Sequence, residues 1–344
     1  MAGERVTLDT VAAAAGVSRM TVSNAYNRPD QLSAATRSRV MAIAAELGYA
    51  GPDPTAASLR LRRTRTVGVV LTERLPYAFA DPGMVTILHG LASGLSEAGY
   101  ALLLVPESGV DDEPLVRHAM VDALVLCALP AEHPAVTAAL ERQVPVVTVG
   151  NPRLPHIPRL GTDNRAATAL VARHLLDLGH RSFAVLTAES GGQHTLARPG
   201  FAERTDGFTA ALRDAGIGPD RIAVHTATEN ARAAGAAALS EPLAARRTRP
   251  TAVFAVTDIL ALGALDAASH AGLAVPTDVS VVGFDNVAPA ALSDPPLTTV
   301  EHDLFGQGHA AARLALRMIA GESVRAPRMA PQLVVRGSTA AAPR

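Results

Sequence analysis

Tryptophan and lysine are absent from the 344 residues, cysteine occurs once, and aromatic residues make up 3%. The single thiol, Cys127, excludes an internal disulfide framework and any metal or redox site built on several cysteines. It lies in an apolar stretch and reads as a buried core thiol. Arginine without lysine, together with abundant alanine, fits the codon bias of a GC-rich coding sequence. No apolar run approaches the roughly 18–20 residues of a membrane span. The opening MAGERVTLDT lacks the hydrophobic segment of a signal peptide, so the expected compartment is the cytoplasm. Enzyme signatures are missing too. No GxGxxG follows a strand, and GxxxxGK[ST], GxSxG and HExxH do not occur. The 11 histidines are scattered, and Asp111-Asp112-Glu113 reads as a solvated loop. The expectation is a protein that is not an enzyme and uses no metal or cofactor.

What is present is a chain with ample core, 48% hydrophobic and 18% charged, with a net charge of −1. That near-neutral total hides a division. Residues 1–65 carry nine arginines against five acids, or +4, while the remaining 279 carry 22 against 27, or −5. A basic head on an acidic body suggests a module for a polyanion.

The head reads as three short helices. Thr7 can cap LDTVAAAA, which Gly16 ends; Ser18 can cap RMTVSNAY; Ser33 can cap AATRSRVMAIAAELGY. Two short helices joined by a tight glycine turn are the sequence form of a helix-turn-helix, although an ordinary three-helix bundle uses the same packing residues. On a recognition helix the first residues meet base edges. Arg19 can pair with guanine, Met20 offers only apolar contact, and Asn24 can pair with adenine or hold a phosphate. Ser18, Thr21, Ser23 and Asn27 are short hydrogen-bonding side chains suited to backbone phosphates. Next comes GPDPTAASLRLRRTRT, with a short expected helix from Pro54 to Arg60 that is too small to be stable alone.

From Thr66 onward apolar strand candidates alternate with helical stretches. The strands fall at 67–72, 100–106, 122–128 and 144–150, then at 182–187, 222–226, 251–257 and 279–284. The helices include 84–98, 164–178, 201–215, 230–240 and 258–271. Continuous Val/Leu/Ile strands between helices indicate parallel sheets covered on both faces. Two series indicate two α/β lobes, with the cleft between them as the default ligand site. Arg204, Asp258 and Asp285 fall at or beyond the carboxyl ends of strands or in the next helix, where such sheets hold ligand groups. For the aspartates capping is the competing role, and for Arg204 a surface ion pair. Tyr77 and Phe79 fall in a loop after the first strand, where they could line a pocket or close a core edge.

The segment VTLDTVAAAAGVSRMTVSNAYNRPDQLSAATRSRVMAIAAELGY (6–49) resembles the helix-turn-helix head of the lactose-repressor (LacI/GalR) family of transcription regulators. TRTVGVV (64–70), GTDNRAATALVARHLLDLGHRSFAVL (161–186), ERTDGF (203–208), VFAVTDILALGAL (253–265), DVSVVGFDN (278–286) and PPLTTV (295–300) extend the likeness from about residue 6 to about 336. The resemblance implies an all-α helix-turn-helix domain (1–50) and a hinge helix (51–65). An α/β two-lobed domain like the periplasmic binding proteins follows (66–344). One lobe spans 66–160 and 302–328, the other 161–300 and 329–340. It implies homodimers on pseudo-palindromic operator DNA, with Thr7, Ser18, Arg19, Met20, Thr21, Ser23, Asn24, Asn27 and Ser33 at the DNA. Leu59, with Ala56 before it, would enter the minor groove. It also implies a repressor governed by a small effector in the cleft, a sugar or alternatively a nucleobase or other polar metabolite acting as corepressor. Arg204 and Asp258 match the effector-contact motifs most strongly, and Tyr77, Phe79, Arg198 and Asp285 less so. Gly51 departs from the family pattern as an extra residue before the hinge. Residues 106–121 are short for the family, Gly150-Asn151-Pro152 replaces a usual Asp-Arg, and RGSTAAAPR lacks the leucine heptad of a tetramerising coiled coil.

Overall fold

The structure is a computed structural model and describes residues 6–51, 63–71, 75–106, 114–189 and 199–343, the side chain of Tyr77 excepted. Two compact units divide at Thr64 and Arg65. The hinge expected around 54–60, with Ala56 and Leu59, lies outside the described residues, as does Arg198.

The first unit holds three helices, each started by a hydroxyl cap. α1 (Leu8–Ala15) begins at Thr7, which exchanges bonds with Thr10 in a capping box. It stops at Gly16, whose φ of 62° is left-handed and turns the chain into the next helix at little steric cost. α2 (Arg19–Asn27) begins at Ser18, which accepts from the Thr21 amide. α3 (Ala34–Glu46) begins at Ser33, which accepts from the Thr36 amide. It ends three residues before the sequence pattern suggests, because Gly48 turns left-handed (φ 70°) and leaves Leu47 at the surface. Val11, Ala15, Val22, Ala25, Val40 and Ala44 form the core between the helices. Tyr26 and Tyr49 pack edge to face beside it, 5.9 Å between centroids.

The second unit is built on two parallel sheets. The first contains β1 (Thr66–Leu71), β2 (Ala101–Pro106), β3 (Ala123–Cys127), β4 (Val146–Val149) and β5 (Arg159–Leu160), in the order β2-β1-β3-β4-β5. α4 (Leu75–Ala80), α5 (Pro82–Ser96) and α6 (Pro134–Glu141) lie along this part of the chain. The second sheet contains β6 (Phe183–Ala188), β7 (Ile222–Ala227), β8 (Ala252–Ala255) and β9 (Ser280–Val282), in the order β7-β6-β8-β9. α7 (Asn164–Asp177), α8 (Pro199–Asp214), α9 (Arg232–Ala244), α10 (Asp258–His270) and α11 (Ala288–Leu292) accompany it. Strands β3, β4, β8 and β9 are buried along their whole length, as unbroken apolar runs require. β2 and β7 are edge strands and stay half exposed despite apolar stretches such as ALLLVP.

The chain crosses between the sheets three times. It passes from β5 into α7. It returns after β10 (Thr299–Glu301) to α12 (Leu304–Ile319), which joins the first sheet's core. It then reaches β11 (Gln332–Val334), paired antiparallel to β10, and Ser338, which bonds Val281 of the second sheet. α5 and α12 touch backbone to backbone. A Cβ on Gly308 would stand 2.1 Å from the Ile87 carbonyl, and one on Gly90 would stand 2.1 Å from that of Phe305. Among the described residues no helix is long and apolar enough to cross a membrane. Between β2 and β3 the described residues include a 3₁₀ turn over Leu115–Arg117.

Candidate nucleic-acid interface and interior cavity

Helix α2 offers an outward row of donors, acceptors and apolar surface at its start. Arg19 is its first residue and is exposed, with Asp9 3.6 Å away in an ion pair open to solvent on both sides. Met20 is 64% exposed, a large apolar side chain with no core to join. Asn24, one turn on, is half-buried and donates to Gln31 Oε1 at 3.3 Å. Ser18, Thr7 and Ser33 are exposed cap residues, and the Ser18 and Thr21 hydroxyls lie 2.9 Å apart. Asn27 is exposed and Thr21 half-buried. Ser23, expected at a phosphate, is instead buried on the inward face of α2, its hydroxyl accepting from the Asn27 amide at 3.4 Å.

In the second unit a cavity of about 150 Å³ opens where the carboxyl ends of the strands of both sheets converge. Leu71, Cys127 and Val149 end strands of the first sheet at its wall; Thr257, just past β8, and Asp285, just past β9, come from the second. Arg204 on α8 and Asp285 are nearly buried, at 11% and 12% exposure, with Nη1 3.1 Å from Oδ1. The same nitrogen donates to the Val256 carbonyl at 2.7 Å, and Nε donates to Asn164 Oδ1 at 3.2 Å. The guanidinium lies 3.8 Å over the ring of Phe284. His302 Nε2 shares Asp285 Oδ1 at 3.0 Å, while Thr162 and Gln307 hold His302 from its other side. Asp285 itself has φ 116°, a conformation an aspartate adopts only when its surroundings enforce it.

Asp258 is the expectation that changes. It is fully buried and does not line the cavity. Its Oδ2 accepts from the Val287 amide at 2.9 Å and its Oδ1 from the Thr299 hydroxyl at 2.5 Å. Both bonds grip the chain beside Asp285 and Asn286, so Asp258 supports the cavity wall from behind. Burial, then the charge of Asp285, pushes its carboxyl well above the usual range. Phe79 changes as well. Residues 75–80 form α4 instead of a loop, and this helix turns Ala78 to the cavity and leaves Phe79 60% exposed. Arg204 and Asp285 do line the cavity.

Several lining residues escape sequence reasoning: Asp81, Asn151, Arg159, Asn164, His302 and Gln307. Asp81 had a legible signal, since Asp-Pro is a helix start. Its Oδ1 accepts from the Gly83 and Met84 amides at 2.9 and 3.4 Å, capping α5. Its Oδ2 receives Asn230 at 3.5 Å. Burial first, and then the charge of Asp285, raise its carboxyl to about 6, against the pull of the cap amides and of Arg204. Cys127 also faces the cavity, with burial pushing its thiol up to about 12, so it is no nucleophile.

Known proteins match both units. The bacterial regulatory proteins of the lacI family match residues 7–51, and the periplasmic binding protein-like domain matches residues 172–339. An HTH-type transcriptional regulator of Mycobacterium tuberculosis is 41% identical over 329 residues, 91% of this chain and 91% of that protein. Among solved structures, the lac repressor dimer bound to operator and the anti-inducer ONPF superposes with a TM-score of 0.80 at 27% identity, covering 98% of this chain and 100% of that one. The transcriptional regulator CelR–cellobiose complex gives a TM-score of 0.68 at 33% identity, covering 97% and 100%. A helix-turn-helix head joined to a two-sheet body of this kind defines a DNA-binding transcriptional regulator. The chain belongs to the lacI family of bacterial regulatory proteins.

Proposed function

We propose that the protein is a cytoplasmic repressor that binds a pseudo-palindromic operator as a homodimer and releases it when a small sugar occupies the cavity. The observation that carries this reading is the cavity itself, ringed by Arg204, Asp285, Asn164, His302 and Asp81 with apolar side chains between them. Fixed acceptors and donors around an apolar floor suit a hydroxyl-bearing ring. A volume of about 150 Å³ equals that of an engineered cavity that takes one benzene-sized ring. The relative whose structure holds cellobiose supports a sugar. The lining residue Phe201 suits stacking against a planar ring, which favours the second reading, a nucleobase acting as corepressor.

On the operator, Arg19 would pair with guanine, Met20 would cover a thymine methyl, and Asn24 would read adenine or hold a phosphate. Thr7, Ser18, Thr21, Asn27 and Ser33 would hold phosphates, with Ser23 fixing Asn27 from within. Leu59, with Ala56, would open a base step from the hinge between residues 51 and 65. The effector acts only through different affinities for two arrangements of the body, one of which presents the paired heads at operator spacing.

Thermal melts of the full chain against sugars and nucleosides test the ligand class. A true effector at 100 times its dissociation constant adds about 2.7 kcal/mol. A sugar that raises the melting temperature and weakens operator binding is the expected result. A nucleobase that strengthens operator binding establishes the second reading instead.

A further inference from the structure

One cation in the cavity wall has no anion of its own. Arg159 in β5 is half-buried and lines the cavity beside Gly150 and Gly161, the residues that follow β4 and β5. Those strands pair Val149 with Leu160, so the two glycines leave the sheet side by side. The guanidinium lies in the room they leave, since a Cβ on Gly161 would collide with Nη1. Nη1 donates to the Gly150 carbonyl at 2.8 Å. Among the described residues this is the one hydrogen bond of Arg159, and no carboxylate stands within ion-pair distance of it. A guanidinium carries five N–H donors in a rigid fork, so most of its donors are left for a ligand.

The acids whose charge reaches Arg159 are engaged elsewhere. Glu203 Oε2 receives Asn164 Nδ2 at 2.7 Å and pairs with Arg153 at 3.6 Å. Asp163 Oδ1 accepts from the Ala166 amide at 3.1 Å as the cap of α7. Burial, then the charge of Arg153, work against the Arg159 cation, and Glu203 and Asp163 only partly offset them. The acids of the cavity belong to a different region. Asp285 is bound by Arg204 and His302, and Asp81 caps α5. The charges that bear on Asp81 are Asp285 and Arg204, whereas those that bear on Arg159 are Arg153, Glu203 and Asp163. The cavity is therefore acidic at the start of α5 and basic beside β4 and β5. The first turn of α8 adds to the basic side, because Gly200 lines the cavity next to Asn164 and brings the positive end of a 16-residue helix there.

We infer that Arg159 is an anion-recognising residue of the cavity and that the effector carries a carboxylate or phosphate on the part that meets it. This deepens the effector reading above and depends on the ligand entering this cavity. The two groups share the chemistry that matters, paired oxygens of negative charge that a guanidinium fork can hold together. A half-buried pair of this kind is screened less than one at the surface.

The first test needs no knowledge of the effector. Thermal melts of the full chain and of Arg159→Gln are compared in chloride, acetate and inorganic phosphate at pH 7 and one ionic strength. Glutamine keeps a donor for the Gly150 carbonyl and removes the charge. The general effect of each salt, and any binding by the arginines of the head, is common to both proteins and cancels in the difference. Acetate or phosphate should raise the melting temperature of the wild type more than that of the variant. A larger rise with one anion names the group. Equal rises in both proteins with both anions overturn the inference.

The second test uses matched ligands in calorimetric titrations of the same two proteins. A neutral sugar is set beside its uronate and its phosphate, and a nucleoside beside its monophosphate. On the wild type the anionic member should bind at least about tenfold tighter than its neutral parent, and Arg159→Gln should lose most of that advantage. A neutral parent that binds as tightly as its acid, or a preference unchanged in the variant, overturns the inference and leaves the effector reading standing. If only the nucleoside pair binds, the sugar reading fails, and the same comparison still decides the inference.

Discussion

Helix α2 and the cavity treat polar side chains in opposite ways. Arg19 and Asn27 stand at the surface with one weak partner each, and Arg19's ion pair with Asp9 is open to solvent on both sides. Arg204 and Asp285 are nearly buried and His302 is buried; they share partners, and Asp258 and Thr299 back the chain beside Asp285. The first arrangement leaves hydrogen-bonding capacity for a partner that supplies its own charges. The second has already satisfied most of its groups and can change only together. Substitutions in the head should act nearly independently, whereas those around the cavity should be coupled.

The largest expected effect lies away from both sites, in the helix crossing that holds the cavity's first wall. Gly308→Ala puts a methyl group 2.1 Å from the Ile87 carbonyl, so α5 and α12 must separate. A loss of about 3 kcal/mol in urea unfolding is expected, at the upper end of overpacking costs. Asp258→Asn comes next. The amide must turn an N–H toward either the Val287 amide or the Thr299 hydroxyl, leaving a buried donor without its acceptor. The expected cost is roughly 1–3 kcal/mol, together with a weaker effector response, because the chain around Asp285 loosens. A double-mutant cycle with Asp285→Asn should be non-additive, and strict additivity would show the two aspartates to be independent.

In the head, Arg19→Ala should cost roughly 1–3 kcal/mol on the operator and relax one base position, measured by anisotropy on selected and scrambled DNA. Equal weakening on both would make Arg19 a phosphate contact. The smallest effect is expected from Asp9→Ala, whose exposed ion pair should be worth at most about 1 kcal/mol to the fold. The same change should tighten DNA binding slightly by freeing Arg19, and an unchanged affinity would mean that the pair does not restrain it.

The local fold was largely legible in the sequence. Thr7, Ser18 and Ser33 cap the helices their hydroxyls suggest, and unbroken apolar runs lie in the sheet interiors. These features are written in neighbouring residues. The cavity was legible only in part, because its walls come from segments as distant as Asp81, Asn164, Arg204 and His302. Motifs point to Arg204 and Asp258 most strongly and to Asp285 less so, and nothing local tells whether an aspartate just past a strand faces the cavity, as Asp285 does, or backs it, as Asp258 does. Gly283 decides it in the structure, since a Cβ there would collide with the Asp258 carboxylate at 2.2 Å. LPYAFA, with its proline and six residues, gives no helical period long enough to assign faces, so the sequence leaves Phe79 in a loop while the structure exposes it on α4.

The most direct test of the account starts by selecting DNA from a random pool with the full chain. The affinity of the selected sequence is then measured with and without the small molecule that most raises the melting temperature. The account predicts an inverted repeat of two half-sites and an affinity that changes at least about tenfold on adding the ligand, the coupling of roughly 1.4 kcal/mol or more typical of linked sites. A single asymmetric site, or an affinity unmoved by a ligand that demonstrably fills the cavity, would contradict it.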